Sequence, residues 1–196
     1  MPKKSERTRQ RIVEAANRLF YHKGYNQNSF SDVVMAAAVP RGNIYYYFKN
    51  KDEILEAAIR YRTERISQML EQWTGTYRTP IERLHRFLDI LSDSADAIMR
   101  YGCPMGSLNT ELGKEQRELQ EKAENLFKVF ESWLCDQFAE LGYAGRAHEL
   151  ALRLMAQGQG INVMAHVHND PGFLRREKAR LGQWLDQLAD GNDECA

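Results

Sequence analysis

The chain has 196 residues, 43% of them hydrophobic, which suffices for one ordinary domain or for a small domain sharing helices with a larger one. Its 27 Lys/Arg and 27 Asp/Glu give a formal net charge of zero, which taken alone argues against a nucleic-acid partner, and no apolar run reaches the ~18 residues of a membrane-spanning helix. Three cysteines, Cys103, Cys135 and Cys195, an odd count with no C-x-x-C pair, suit a reducing cytosol better than a disulfide scaffold, so a cytoplasmic protein is expected.

The distribution of charge points the other way from the total. Residues 1–51 hold ten Lys/Arg against three acids, a charge of +7, and the remainder carries −7. A basic head on an acidic body is the footprint of DNA binding at one end. Within the head, Ile12, Val13, Ala16, Leu19 and Phe20 recur at helical spacing until Gly24 ends the run. Ser29-Phe30-Ser31-Asp32 is a capping box that opens a short helix through Val33, Val34 and Ala37, and the Val39-Pro40 step stops it. From Pro40 to Lys51 a second short helix puts Ile44 and Phe48 on one face and directs Arg41, Asn43, Tyr46 and Tyr47 away from it. Gly42 lacks the Cβ that would keep a phosphate from the backbone. Two short helices joined at Pro40 make a helix-turn-helix, whose second member enters the DNA major groove.

Asn50 with Glu53 caps a long helix expected to run to Thr74-Gly75 and to connect head and body. Thr79-Pro80-x-Glu82 opens another, carrying Ile81, Leu84, Phe87, Leu88, Leu91, Ala95, Ile98 and Met99, broken at Tyr101-Gly102-Cys103-Pro104. A short helical turn through Leu108 to Leu112 follows. A strongly periodic stretch from Leu119 to Leu141 then predicts a major core helix. Residues 146–168 and 171–189 predict the last two long helices, the second capped by Asp170-Pro171. Nothing alternates with period two, so the fold class is all-α, about nine helices.

The segment from Thr8 to Tyr61, with Gly24-Tyr25, the run Ala38-Val39-Pro40-Arg41-Gly42-Asn43-Ile44-Tyr45-Tyr46-Tyr47-Phe48 and Lys51, resembles the DNA-binding domain of the tetracycline-repressor-like (TetR) family of bacterial transcription regulators. The resemblance covers about the first 60 residues, and the body matches only in helix number and length. It implies an N-terminal three-helix helix-turn-helix domain over 1–50 and a larger helical ligand-binding and dimerisation domain over 51–196, linked through the helix that starts at 51. It implies that Arg41, Gly42 and Asn43 approach bases or phosphate, that Tyr45 and Tyr46 reach bases or backbone, and that Lys51 meets a phosphate. Tyr47 stands where a histidine is common in the family, so the bases read are not carried over from it. Lys49 belongs to the same cationic, aromatic surface. Ser29 and Ser31 are phosphate candidates or simple caps.

Family members of this type hold a small-molecule pocket in the larger domain, which turns an apolar set that would otherwise be plain core into candidate lining: Phe87, Met99, Tyr101, Cys103, Met105, Phe127, Phe130 and Met155. Cys103 lies in a turn between Gly102 and Pro104, which leaves open an accessible, reactive thiol or an inert or buried one, and no cation adjacent in sequence would activate it. A two-fold dimer is expected through the last two helices, with Gly158, Ile161, Leu181, Trp184, Leu185 and Leu188 at the interface. His166-x-His168 is a poor chelate, since helical residues two apart face different directions, and neither metal nor cofactor is expected.

The expected function is a sequence-specific transcriptional regulator, a repressor that binds a palindromic operator in double-stranded DNA as a homodimer and is released by a small-molecule effector. An effector held among the helices starting at Thr79, Lys114 and Arg146 would press on the helix starting at Asn50. Two other classes compete with this reading. An architectural DNA-binding protein would coat DNA without ligand control. A helical enzyme would have to use His148, His166 or His168 with Glu111 or Glu149, and no nucleophile elbow, phosphate loop or metal motif accompanies them.

Overall fold

The computed structural model describes residues 4–191; the side chains of Lys4 and Arg41, and Cys195, lie outside that description. The described residues form helices and no strand. Eleven α-helical segments become eight when those separated by one residue are joined, or nine when Gln116, non-helical at φ −122° and ψ 63°, is kept as a break. The chain divides into two compact units, one comprising 1–65 with 104–127 and the other 66–103 with 128–196. The helix-turn-helix head and 104–127 thus share one unit.

In the first unit, α1 (Lys4–Lys23) is terminated by Gly24, whose φ of +83° suits a residue without Cβ. Helix α2 (Phe30–Ala37) opens on a complete capping box: Asp32 N–H donates to Ser29 Oγ at 3.2 Å and Ser29 N–H to Asp32 Oδ2 at 2.7 Å. It ends on Ala38 at φ +50°. Pro40 precedes α3 (Arg41–Tyr47), and Glu53 N–H donates to Asn50 Oδ1 at 2.9 Å at the start of α4 (Lys51–Thr76). Ile12, Val33, Ile44 and Ile54 are wholly buried, with Phe20, Tyr25, Phe48 and Leu55 nearly so. That core fixes α2 and α3 against α1, and α1 with α2 is the helix pair in most extensive contact in this unit. Helices α5 (Pro80–Asp93) and α6 (Ala95–Tyr101) lie in the second unit. Helices α7 (Pro104–Glu115) and α8 (Arg117–Ala123) complete the first, burying Leu108, Leu112, Leu119 and Ala123. The short turn expected near Leu108 is thus a twelve-residue helix.

The second unit is built from α5, α6, much of α9 (Asn125–Phe138), α10 (Ala147–His168) and α11 (Pro171–Ala189). Thr79 and Glu82 form a reciprocal capping box at the start of α5, and Pro80 occupies the position where a missing N–H costs nothing. The expected continuous helix is interrupted at Ser94, at φ −109° and ψ 12°. The core joins Leu84, Leu88, Leu134, Phe138, Leu150, Leu154, Ala165, Leu174 and Leu185. Arg83, buried beside it, spends its guanidinium on Tyr77 O, Arg78 O, Gln137 Oε1 and Glu140 Oε2.

The residues expected at a dimer surface divide between this core and partly buried positions. Ile161 of α10 and Leu181, Leu185 and Leu188 of α11 lie inside the protomer's own core, where α11 packs along α5 and α10 packs against α6 and α11. Trp184 is half-buried, with the Arg153 guanidinium 4.8 Å from its ring centre. Gly158 keeps open space where its Cβ would be. Instead α10 exposes Leu152, Ala156, Gly160, Val163 and Val167, spaced four, four, three and four along one face. Asn162 on the same helix keeps a buried Oδ1 without a hydrogen-bond partner.

Candidate nucleic-acid interface

Helix α3 is only seven residues long, too short to stand without tertiary support. Ile44 at 0% and Phe48 at 3% exposure provide it. With that face buried, the opposite one carries Gly42, Asn43, Tyr45 and Tyr46 in solvent. Tyr46 is 80% exposed, and nothing within 4 Å would obstruct a Cβ on Gly42, so backbone there is open to close approach. Arg41 opens the helix, its side chain lying outside the described residues. Tyr45 rests on Phe30 at 5.0 Å between ring centres, while Tyr46 and Tyr47 meet edge to face at 5.0 Å. Tyr47 is half-buried and props Tyr46. Lys49 is exposed at the C-terminal end, and Met35 on α2 is 70% exposed beside the same turn.

Two predicted residues are already occupied within the chain. Ser29 both accepts from Asp32 N–H and donates from Oγ to Asp32 at 2.6 Å, which holds the Asp32 carboxyl below its ordinary range. Lys51 turns inward: its Nζ donates to Tyr25 O at 3.1 Å and Asn28 O at 2.9 Å and lies 3.9 Å from the centre of the Tyr25 ring. Burial pushes the Lys51 pKa down, against the neighbouring Asp52 and Glu111. Tyr25, whose hydroxyl donates to Asp52, is pushed far above the ordinary phenol range, first by burial and then by that bond. Ser31, by contrast, is exposed at the first turn of α2.

Sequence reasoning missed two residues that set this surface. Arg11 reaches from α1 to the carbonyls of Ala37 and Ala38, both at 3.2 Å, satisfying the C-terminus of α2 at the turn itself. Glu111 accepts the backbone N–H groups of Tyr25 and Asn26. Arg11 sits one turn before Ala15 on a basic face, which marks it only as a cation. Nothing local marks Glu111.

The candidate ligand residues divide between the units: Phe87, Met99, Tyr101, Cys103, Phe130 and Met155 in one, Met105 and Phe127 in the other. Phe87 and Phe130 meet edge to face at 5.6 Å. A separate groove of about 310 Å³ in the first unit is lined by Glu56, Ile59, Arg60, Thr63, Glu64, Lys122 and Asn125, none of them in the candidate set. Among the described residues no three His, Cys, Asp or Glu cluster to hold a metal, and no helix is long and apolar enough to cross a membrane.

Two family models match the chain: bacterial regulatory proteins of the tetR family over residues 12–58, and the C-terminal domain of LmrA/YxaF-like transcriptional regulators over residues 80–180. The chain belongs to the TetR family. An HTH-type transcriptional regulator in the lacX 3′ region of Lactococcus lactis subsp. lactis is 30% identical over 171 residues, 85% of this chain and 87% of that one. The HTH-type transcriptional repressor DhaR of Mycobacterium sp. (strain GP1) is 26% identical over 130 residues, 64% of this chain and 61% of that protein. A crystal structure of a TetR transcriptional regulator from Chloroflexus aurantiacus, 23% identical, superposes with a TM-score of 0.80 over 94% of this chain and 96% of its own, a likeness of fold. This TetR-family chain is a DNA-binding transcriptional regulator with a helix-turn-helix head, and its family consists of regulators rather than enzymes.

Proposed function

We propose that the chain binds a palindromic operator as a homodimer, represses transcription there, and is released by a small-molecule effector held in the helical body. The carrying observation is α3: Ile44 and Phe48 buried, and Gly42, Asn43, Tyr45 and Tyr46 presented together to solvent. A tyrosine 80% exposed, whose ring meets Tyr47 edge to face, suits stacking and hydrogen bonding on a base edge or phosphate. Arg41, Tyr47, Lys49 and Ser31 extend this contact surface. Ser29 and Lys51 act on it from behind, the first as a cap and the second as a pin on the turn before α2. Such a regulator works on chromosomal DNA, which puts it in the cytoplasm.

Two recognition helices enter successive major grooves when they lie one DNA turn apart, roughly 34 to 36 Å. A second copy seated on the exposed α10 stripe of Leu152, Ala156, Gly160, Val163 and Val167 would set that distance. Repression is the role of the related DhaR. The aromatic pair Phe87 and Phe130, with Met99, Tyr101 and Met155, favours an apolar or aromatic effector. Footprinting tests the reading: protection of one short palindrome is expected, and uniform coating of all sequences would favour the architectural alternative. An effector that lowers operator affinity must bind more weakly to the operator-bound protein by the same factor. Identical effector affinity with and without operator would exclude release.

A further inference from the structure

The turn between α1 and α2 is held between opposite charges. Its carbonyls, those of Tyr25 and Asn28, accept from the Lys51 ammonium. Its amides face the other way: Tyr25 N–H donates to Glu111 Oε2 at 2.9 Å and Asn26 N–H to Glu111 Oε1 at 2.7 Å. The peptide dipoles of one short turn thus run from a carboxylate to an ammonium, and two successive N–H groups on one carboxylate form a small anion nest. Gly24, at φ +83°, leaves room for the seat, since a Cβ there would stand a tight 3.1 Å from both Glu111 oxygens. Gln116 seconds the contact by exchanging side-chain hydrogen bonds with Asn26 at 3.0 and 3.4 Å.

Glu111 lies on α7, 86 positions from Tyr25 and beyond the 12–58 segment that carries the family's head. Yet α7 packs in the same compact unit as that head. Three residues after Asn26 comes Ser29, the cap of α2, and α2 leads through Ala38 directly into α3. Whatever sets the Tyr25-Asn26 peptide planes sets the entry of α2, and with it the attitude of the reading helix. We infer that Glu111 is a positioning residue for operator recognition, so that α7 completes the DNA-reading unit. The inference rests on the reading of α3 as the DNA-contacting helix.

The test uses the full-length chain, a palindromic duplex enriched from a random pool by the wild-type protein, and a scrambled duplex of the same composition. Glu111→Ala is expected to weaken the enriched duplex by about tenfold, the scale of losing charge-assisted hydrogen bonds. The scrambled duplex, held through phosphate charge, should bind no more weakly, because an anion has been removed and every cation kept. Backbone hydrogen exchange at Tyr25 and Asn26 should accelerate in the same variant. Glu111→Gln keeps one accepting oxygen and should fall between, and it carries the comparison if Glu111→Ala fails to fold. Equal loss on both duplexes would reduce Glu111 to general stability, and unchanged affinity for the enriched duplex with faster exchange would overturn the inference outright. A Tyr46→Ala chain that binds the enriched duplex like wild type would instead overturn the reading of α3.

Discussion

Lys51 and Tyr25 form one pin: the ammonium lies 3.9 Å from the phenol ring centre and donates to that residue's own carbonyl at 3.1 Å. The same nitrogen reaches Asn28 O at 2.9 Å, so the first residue of α4 closes the turn before α2. A phosphate contact and a structural pin make different demands on this lysine. Lys51→Ala should lower stability by about 1.5 to 3 kcal/mol, since hydrogen bonds from a charged donor are lost in a half-buried place. It should weaken operator binding through the misplaced turn while leaving the slope of log affinity against log salt unchanged. Loss of a phosphate contact would lower that slope by about 0.9, and salt titrations of the variant beside wild type separate the two.

The exposed and buried residues of α3 should behave oppositely. Tyr46→Ala removes a side chain that is 80% exposed, so thermal unfolding should stay within about 0.5 kcal/mol of wild type. Its operator affinity should fall by about 1 to 3 kcal/mol. Ile44→Ala, at 0% exposure, should instead cost about 2 to 5 kcal/mol of stability and lose binding with it. Paired melting and binding curves distinguish the two behaviours.

What the sequence makes legible in this molecule is local. The Ser29-Asp32 and Thr79-Glu82 boxes, Gly24 and Pro40 each act within four residues, and each ends or starts a helix where its chemistry requires. The alternation of buried Ile44 and Phe48 with exposed Tyr45 and Tyr46 follows from helical period alone. What is not legible depends on partners far away in the chain. The family resemblance implies a phosphate contact for Lys51, and the carbonyls 23 and 26 residues earlier that its ammonium reaches carry no side-chain signature that would announce the pin. Glu111 reads as a carboxylate for a hypothetical enzyme because backbone amides leave no mark in a sequence. On α10 nearly every face bears an apolar residue, so period alone does not separate the core face, with Leu154 and Ile161, from the free one, with Val163 and Val167.

Alkali should loosen the head through Tyr25. Its pKa is raised in the folded chain, so the protonated phenol contributes stability that is fully present below the unfolded value of about 10 and is lost as pH rises above it. Lys51, shifted down by burial, acts in the opposite sense, so the quantity to compare is the difference between wild type and Tyr25→Phe. The variant should be less stable at neutral pH by about 1.5 kcal/mol, having lost the bond to Asp52. That gap should narrow as pH climbs past about 10, and denaturant unfolding at several alkaline pH values would show it. A gap that stays constant with pH would mean that the phenol does not titrate differently in the two states.

Gly160 offers the sharpest test of the dimer surface because a single chain and a pair of chains predict opposite signs. In the isolated protomer a Cβ at Gly160 meets nothing within 4 Å. Replacing a glycine inside α10 by alanine should then stabilise the helix by about 1 kcal/mol, the difference in helix propensity. If a second copy packs on the stripe formed by Leu152, Ala156, Gly160, Val163 and Val167, the added methyl instead stands in the seam where the two helices approach. Gly160→Ala should therefore weaken self-association while raising the stability of the dissociated chain. Val163→Glu, at a residue already 58% exposed, should leave the fold intact and place a carboxylate in that seam, giving a monomer at micromolar concentration by light scattering and weaker operator binding. Leu185→Ala, wholly buried within one chain, should cost about 2 to 5 kcal/mol of protomer stability. A Val163→Glu chain that remains dimeric would move the interface off this face of α10.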